Sequence, residues 1–209
     1  TSVFQFDPES GTDRALATGP LYHTGPFSLC FTTPLTAGIG AVIMDKWEPE
    51  RMLALIAQHR ITHTFCVPTM FNRLLQLPDD VRARHDVSSL RFVIHGAAPC
   101  AVDVKQRMLD WWGPILCEYY AGTEMNGFVH CTSSEWLERP GTVGKPILGT
   151  IHICDEDGRE LPTGEPGIVA VRRPDPVMFL EYWKQPEATA DKFRRDWCLL
   201  GDIAAKDED

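Results

Sequence analysis

The chain has 209 residues, enough for one large domain or one domain with a small appendage. Its apolar fraction of 44% and charged fraction of 23% are those of an ordinary globular protein, and no apolar run approaches the ~20 residues that a bilayer span needs. The net charge is −9 with basic residues scattered, which argues against nucleic acid as the main partner but not against ATP, whose phosphates are held by local backbone N–H groups.

Seven cysteines are widely spaced, odd in number and without a C-x-x-C pair, so neither a disulfide framework nor a zinc site is expected. Reduced, buried thiols in a cytoplasmic protein fit this usage. Thr1 to Ser10 is polar and acidic and lacks the apolar core of a secretory signal.

The first two thirds alternate strand-like and helix-like runs. Ala15 to Leu21 reads as a strand ending in a turn at Tyr22-His23-Thr24-Gly25. Gly40 to Met44 is a second strand, and Glu48 to His59 has the apolar spacing of an amphipathic helix with Pro49 in its first turn. Ile61 to Val67 is a strand stopped by Pro68, and Thr69 to Leu77 a helix stopped by Pro78. Leu90 to Ile94 runs into Gly96-Ala97-Ala98-Pro99, followed by a helix over Ala101 to Trp112 and a strand over Ile115 to Tyr119. Such alternation implies βαβ units and a mainly parallel sheet with flanking helices.

Near Val129 the texture changes. Glycine and proline become frequent, with short β-like runs at Thr150 to Cys154 and Gly167 to Val171 and a hairpin turn at Asp155 to Gly158. The expected class is therefore α/β over residues 1–128, then a smaller antiparallel, β-rich and distorted barrel-like subdomain over 129–209. Gly201 to Ala204 reads as a strand end or turn, and Lys206 to Asp209 as a charged tail.

Ligands of an open parallel sheet sit at the carboxyl ends of its strands. Three loops fall there. Gly96 to Pro99 is small enough for a planar ligand to approach the backbone, and it leads into a helix start with free N–H groups; an ordinary tight turn reads the same way. Tyr119 to Glu124 sets two aromatics, a hydroxyl and a carboxylate on one loop, suited to a base, a phosphate and Mg²⁺; core tyrosines with a capping threonine are the alternative. His23 stands at the first strand end, where a packed structural imidazole is the competing reading. The other histidines, His59, His63, His85, His95, His130 and His152, form no metal-ligand spacing. No G-x-S-x-G elbow supports a serine hydrolase, and no G-x-G-x-x-G supports a dinucleotide fold.

Taken together, several segments resemble the adenylate-forming superfamily, in its order. Tyr120-Ala121-Gly122-Thr123-Glu124 resembles the Y-G-x-T-E signature, Pro20 to Gly25 the P-L-x-H-x-x-G segment, and Gly96 to Pro99 the G-G-A-P loop. Gly141 to Pro146 resembles G-x-x-G-x-P, Glu160 to Gly167 E-L-P-x-G-E-x-G, Tyr182 to Thr189 the Y-W/Y-x-x-P-E-A-T segment, and Gly201-Asp202 the T-G-D motif. The resemblance covers nearly the whole chain and points to the acyl-CoA synthetase branch.

That resemblance implies a reaction and roles. A carboxylic acid, here a fatty or aryl acid, is joined to ATP as acyl-AMP and then passed to coenzyme A. Gly96, Ala97, Ala98 and Pro99 would line the adenine pocket, and Tyr120 would stack on the base. Glu118, Tyr119, Tyr120, Ala121 and Gly122 would edge the nucleotide and acyl channel. Thr123 would contact phosphate, Glu124 would hold Mg²⁺, Asp202 would bond the ribose hydroxyls of ATP or AMP, and His23 would shape the acyl pocket. Phe27, Leu29, Phe31 and Met125 are apolar pocket or plain core.

Two departures stand out: Ala121-Gly122 replaces the usual glycine-first pair, and Leu200 replaces the threonine before Gly201-Asp202. The family's phosphate loop is not found in Thr1 to Gly19, and its hinge and lysine-bearing lid domain do not appear, so the sequence reads as an internal fragment expected to be inactive alone. An amino-acid adenylation domain is the alternative, but Leu21 to Thr24 offers no acid for a substrate ammonium. A binding-only module that kept the fold is the third reading, and oligomeric state is open.

Overall fold

The computed structural model describes residues 3–124, 127–172, 181–194 and 197–208. It divides into two compact units. The first comprises Thr1–Tyr119 and Cys131–Gly144, the second Tyr120–His130 and Lys145–Asp209.

In the first unit, β1 (Arg14–Ala17) leads through a turn into a π-helical run, Gly25–Thr32, that continues as the single turn α1 (Thr33–Thr36). Then follow β2 (Gly40–Ile43), α2 (Pro49–His59), β3 (His63–Cys66), α3 (Pro68–Leu75), α4 (Asp79–Ala83), β4 (Phe92–His95), α5 (Val102–Trp112) and β5 (Leu116–Tyr120), with α6 (Ser133–Glu138) returning to this unit. The strands run β2-β1-β3-β4-β5 and pair in parallel, with Arg14 facing Gly40, Ala15 facing His63, His63 facing Phe92 and His95 facing Glu118. The expected mainly parallel sheet is thus present.

The helices form where apolar spacing and end signals agree. Helix α2 has Pro49 in its first turn and Glu50 beside the positive helix end, and it buries Met52, Leu53, Leu55 and Ile56. Helix α3 opens on Pro68 and buries Phe71, Leu74 and Leu75, and α5 buries Val104, Met108, Leu109 and Trp112 before stopping at Gly113. These side chains join Leu16, Val93, Leu116 and Trp136 in one core. Each such large apolar side chain contributes roughly 1.5–3 kcal/mol on burial.

In the second unit, β6 (Phe128–Cys131) pairs antiparallel with β7 (Lys145–Leu148). A separate antiparallel sheet has the order β10-β11-β9-β8, from β8 (Thr150–Cys154), β9 (Gly167–Arg172), β10 (Phe193–Arg194) and β11 (Trp197–Ala204), with α7 (Pro186–Lys192) before β10. Its buried residues are Ile153, Cys154, Val169, Ala170, Val171 and Cys198. The expected turn after Cys154 is present: Gly158 N–H donates to Asp155 O, and the Asp155 carboxylate accepts from the N–H of Asp157 and of Arg159.

The segment after Gly25, given no secondary structure from sequence, is helical. Gly201 to Ala204, expected as a strand end or turn, forms the end of β11, where Ile203 and Ala204 pair with Ile168 and Gly167. No helix among the described residues is long and apolar enough to cross a membrane.

Candidate functional site

The first unit presents two of the three loops, at the carboxyl ends of β1 and β4, and the loop that follows β5 belongs to the second unit. Gly96 is buried against β5: a Cβ there would lie 2.6 Å from the Tyr119 carbonyl oxygen and 2.6 Å from its ring. Only glycine lets the chain leave β4 at that point. Ala97 then takes the left-handed region, with φ 67°, and Ala97, Ala98 and Pro99 are exposed. An alanine there carries about 1 kcal/mol of backbone strain or more, of the kind that gathers at ligand sites. Helix α5 begins after Ala101 with no side-chain cap, so its first N–H groups are left for water or a ligand.

Tyr119 is half-buried with its ring centroid 6.2 Å from Phe65, and burial, followed by the nearby Cys30, pushes its hydroxyl pKa up. Phe65 also supports the first loop, since a Cβ on Gly25 would meet its ring at 2.9 Å. His23 is exposed on that loop, its ring 4.5 Å from Tyr22. Phe27 is exposed, and Leu29 and Phe31 are half-buried on the π-helical run, so none is closed core. Met125 lies outside the described residues.

Glu118 lies at the ends of the paired strands β4 and β5, where it faces His95. It is buried, and its Oε2 accepts from Lys105 Nζ at 2.6 Å while His95 Nε2 lies 3.7 Å away. Lys105 is itself fully buried, with its ammonium 4.9 Å from the Trp136 ring centroid. Burial, helped by the Lys105 charge, lowers the His95 pKa to about 3, so its imidazole is neutral. A buried charge pair with this backing fixes the ends of β4 and β5, from which the loops leave.

The second unit gathers the other candidates. The Tyr120 hydroxyl donates to Asp202 Oδ2 at 2.7 Å across 82 residues of sequence. Asp202 is presented by a bulge: Leu199 pairs with Ala170 and the next paired residue is Ile203, with Ile168, while Gly201 takes φ 89°. Residues inserted into one strand bend it and re-aim a side chain. Burial, then the bond to Asp202, pushes the Tyr120 hydroxyl pKa well above its usual value. Leu200 packs toward Gly122, whose added Cβ would meet Leu200 Cδ2 at 3.4 Å and Glu124 Oε2 at 3.0 Å. An apolar contact thus stands where the family pattern has a hydroxyl.

Glu124 accepts a short hydrogen bond from the Tyr182 hydroxyl. Burial pushes the carboxyl pKa up, but the Tyr182 hydroxyl, a backbone N–H and the Lys192 charge outweigh it, so the pKa is lowered and the group is ionised at neutral pH. The same bond raises Tyr182 to about 12. Thr123 is exposed beside it, and Ala121 is half-buried. Tyr182 lies in the Y-W/Y-x-x-P-E-A-T segment, but its partnership with Glu124 spans 58 residues and has no local sequence signal.

No cluster of three metal-ligating side chains exists among the described residues. One ionised carboxylate beside a hydroxyl nevertheless suits Mg²⁺, which is usually held by one or two carboxylates together with substrate phosphates and water.

Comparison with known proteins bears on this arrangement. Feruloyl-CoA synthase of an Amycolatopsis species is 32% identical over 94% of this chain and 40% of its own length. The medium/long-chain-fatty-acid–CoA ligase FadD8 of Mycobacterium tuberculosis is 31% identical over 94% of this chain and 34% of its own. Among solved structures, the amide bond synthetase McbA of Marinactinospora thermotolerans superposes with a TM-score of 0.83 at 30% identity, over 99% of this chain and 40% of that one. ATP-bound MatB of Rhodopseudomonas palustris gives 0.82 at 30% identity, with coverage of 99% and 40%. The chain therefore spans about 40% of the length of the first curated relatives it matches. Residues 1–183 match the profile of the family described as AMP-binding enzyme, and with the fold and motifs in agreement, the chain belongs to that adenylate-forming family.

Proposed function

We propose that this chain is part of an ATP-dependent, AMP-forming acyl-CoA synthetase acting on a fatty or aryl acid. The observation that carries this is the Tyr120–Asp202 hydrogen bond, which joins the aromatic of one motif to the carboxylate of another. Tyr120 offers a face for adenine and Asp202 a pair of acceptors for ribose hydroxyls. Within the first unit, the Gly96–Pro99 loop has exposed backbone that a planar ligand can approach, and the uncapped start of α5 has free N–H groups.

Thr123 donates its hydroxyl to phosphate, and Glu124, held by Tyr182, supplies the metal-binding carboxylate. Mg²⁺ bound there would offset the charge of the ATP phosphates and of the departing pyrophosphate. The acyl group would lie against the exposed face carrying His23, Phe27, Leu29 and Phe31. No Asp, Glu, Lys or Arg occurs from Pro20 to Thr36, which favours a neutral acyl tail over an amino acid. All seven cysteines are free thiols, which supports a cytoplasmic setting. The 209 residues alone hold no Ser/Thr/Gly-rich phosphate loop, and they are expected to bind nucleotide without turning it over.

The test is calorimetry of the purified protein with an acyl-AMP analogue and Mg²⁺, beside the Tyr120→Ala, Asp202→Ala double variant. The expected result is saturable binding that the variant weakens about tenfold or more. Equal binding by both would remove the adenine–ribose assignment. For the parent enzyme, mass spectrometry should find a CoA ester when ATP, CoA and a hydroxycinnamic or long-chain fatty acid are supplied; no ester with either acid class would exclude the substrate reading.

A further inference from the structure

At the amino ends of the first unit's strands, opposite the loops just described, lies an open cleft of about 790 Å³. It is walled by Arg14, Arg60 and Arg91, with His59, Thr62 and Ser89 between them. The three arginines stand at the entries to three neighbouring strands. Arg14 opens β1, Arg60 precedes β3 and Arg91 precedes β4.

The backbone fixes this spacing. Thr62 is the hub: its N–H donates to Arg14 O at 3.0 Å, its Oγ1 accepts from Arg14 N–H at 3.0 Å, and its carbonyl accepts from Arg91 N–H at 2.9 Å. Adjacent strands stand about 4.8 Å apart, so the side chains of Arg14 and Arg91 flank the hub about one strand spacing away on either side.

The donor inventory shows what is left for a ligand. Arg60 Nη1 reaches Asp86 Oδ2 at 2.9 Å, and Arg91 pairs with the buried Asp13. Each guanidinium has five N–H donors, so both keep unused ones. Arg14 pairs with no carboxylate among the described residues. The Thr62 and Ser89 hydroxyls donate to the carbonyls of Arg14 and Ile61, which leaves recognition to the cations. Arg60 adds an independent observation. It holds the left-handed C-terminal cap of α2, φ 52°, a position that glycine fills without strain. An arginine in that conformation, lining a cleft with two more arginines, suits a role beyond ending the helix.

We propose that this cleft is a second, phosphate-binding site. Its ligand carries at least one phosphoryl dianion, as free inorganic pyrophosphate or as the phosphate of a small ester. Guanidinium groups suit this through paired N–H···O bonds, and apart from Gly11 and the His59 ring the lining residues carry polar or charged side chains. The chain's net charge of −9 repels anions at long range, so attraction is confined to the cleft and weakens with salt.

The test titrates inorganic pyrophosphate, and separately glycerol 2-phosphate, into the purified protein at low and moderate salt, following backbone amide NMR signals. Saturable shifts at Thr12, Thr62 and Ser89, with Gly96 to Ala98 unmoved, are expected. The tighter of the two probes identifies the source of the phosphate. Arg14→Gln should weaken binding about tenfold or more. Arg60→Gly should also weaken it while leaving the fold at least as resistant to urea, which separates binding from folding. The Tyr120→Ala, Asp202→Ala variant should bind pyrophosphate unchanged. Shifts confined to Gly96–Ala98, unchanged affinity in Arg14→Gln, or no saturable shift would each overturn the proposal.

Discussion

Gly96 and Ala97 are neighbours with opposite demands. A Cβ at Gly96 would enter the space of the Tyr119 carbonyl, so Gly96→Ala should destabilise the protein by about 1–3 kcal/mol. Ala97 has a Cβ in a left-handed conformation, so Ala97→Gly should raise stability by about 0.5–1 kcal/mol. Urea midpoints of the two variants should move in opposite directions, and a shared direction would refute the strain at Ala97. Part of this was legible beforehand. The small-residue run marked a loop where backbone and ligand meet, but the sign of φ at Ala97 depends on how β4 leaves the sheet. Glu118 was legible only as an edge of the nucleotide and acyl channel, through the family resemblance. Its pairing with Lys105 depends on α5 lying on β5, which no spacing reveals.

At the scale of elements, that pair binds α5 to the sheet. Lys105→Met would leave Glu118 buried and unpaired, at a cost of about 3–5 kcal/mol, whereas Lys105→Met with Glu118→Leu should recover most of the loss. Chemical denaturation of both variants decides the point, and equal loss in both would show that the pair is not coupled. Strands and long helices of the first unit were readable because their apolar periods are clean. The helix after Gly25 was not, because Pro26, Thr32, Thr33 and Pro34 are poor helix formers and only tertiary packing, with Gly25 on Phe65, holds it. Helix α6 does carry a sequence signal: Thr132-x-x-Glu135 is a capping box, with Glu135 N–H donating to Thr132 Oγ1 and Thr132 N–H to the Glu135 carboxylate. Thr132→Ala should cost about 1 kcal/mol.

At the scale of the whole chain, buried neutral histidines couple folding to pH. Burial lowers His63 to about 4 and His95 to about 3, from an ordinary 6.5. The unfolded chain then binds more protons below pH 6.5. Stability is full above that value and falls as pH drops toward 4, before most carboxylates titrate. The urea midpoint should be lower at pH 5 than at pH 7, and the difference should shrink in His63→Phe. A flat profile would mean that neither histidine is excluded from water. Composition and strand–helix alternation made the α/β class legible. The return of residues 131–144 to the first unit was not, because it rests on contacts such as Ser133 Oγ with the Leu116 carbonyl, 17 residues away.

The bulge that presents Asp202 has a further consequence for the solvent. Between Leu199 and Ile203 the ladder to β9 is interrupted, so the amides of Leu200, Gly201 and Asp202 lack the regular partners of their neighbours. In deuterium oxide they should exchange orders of magnitude faster than those of Cys198 and Ile203, within one continuous strand. A bound nucleotide covering Asp202 would slow that exchange, turning the bulge into a built-in reporter of occupancy.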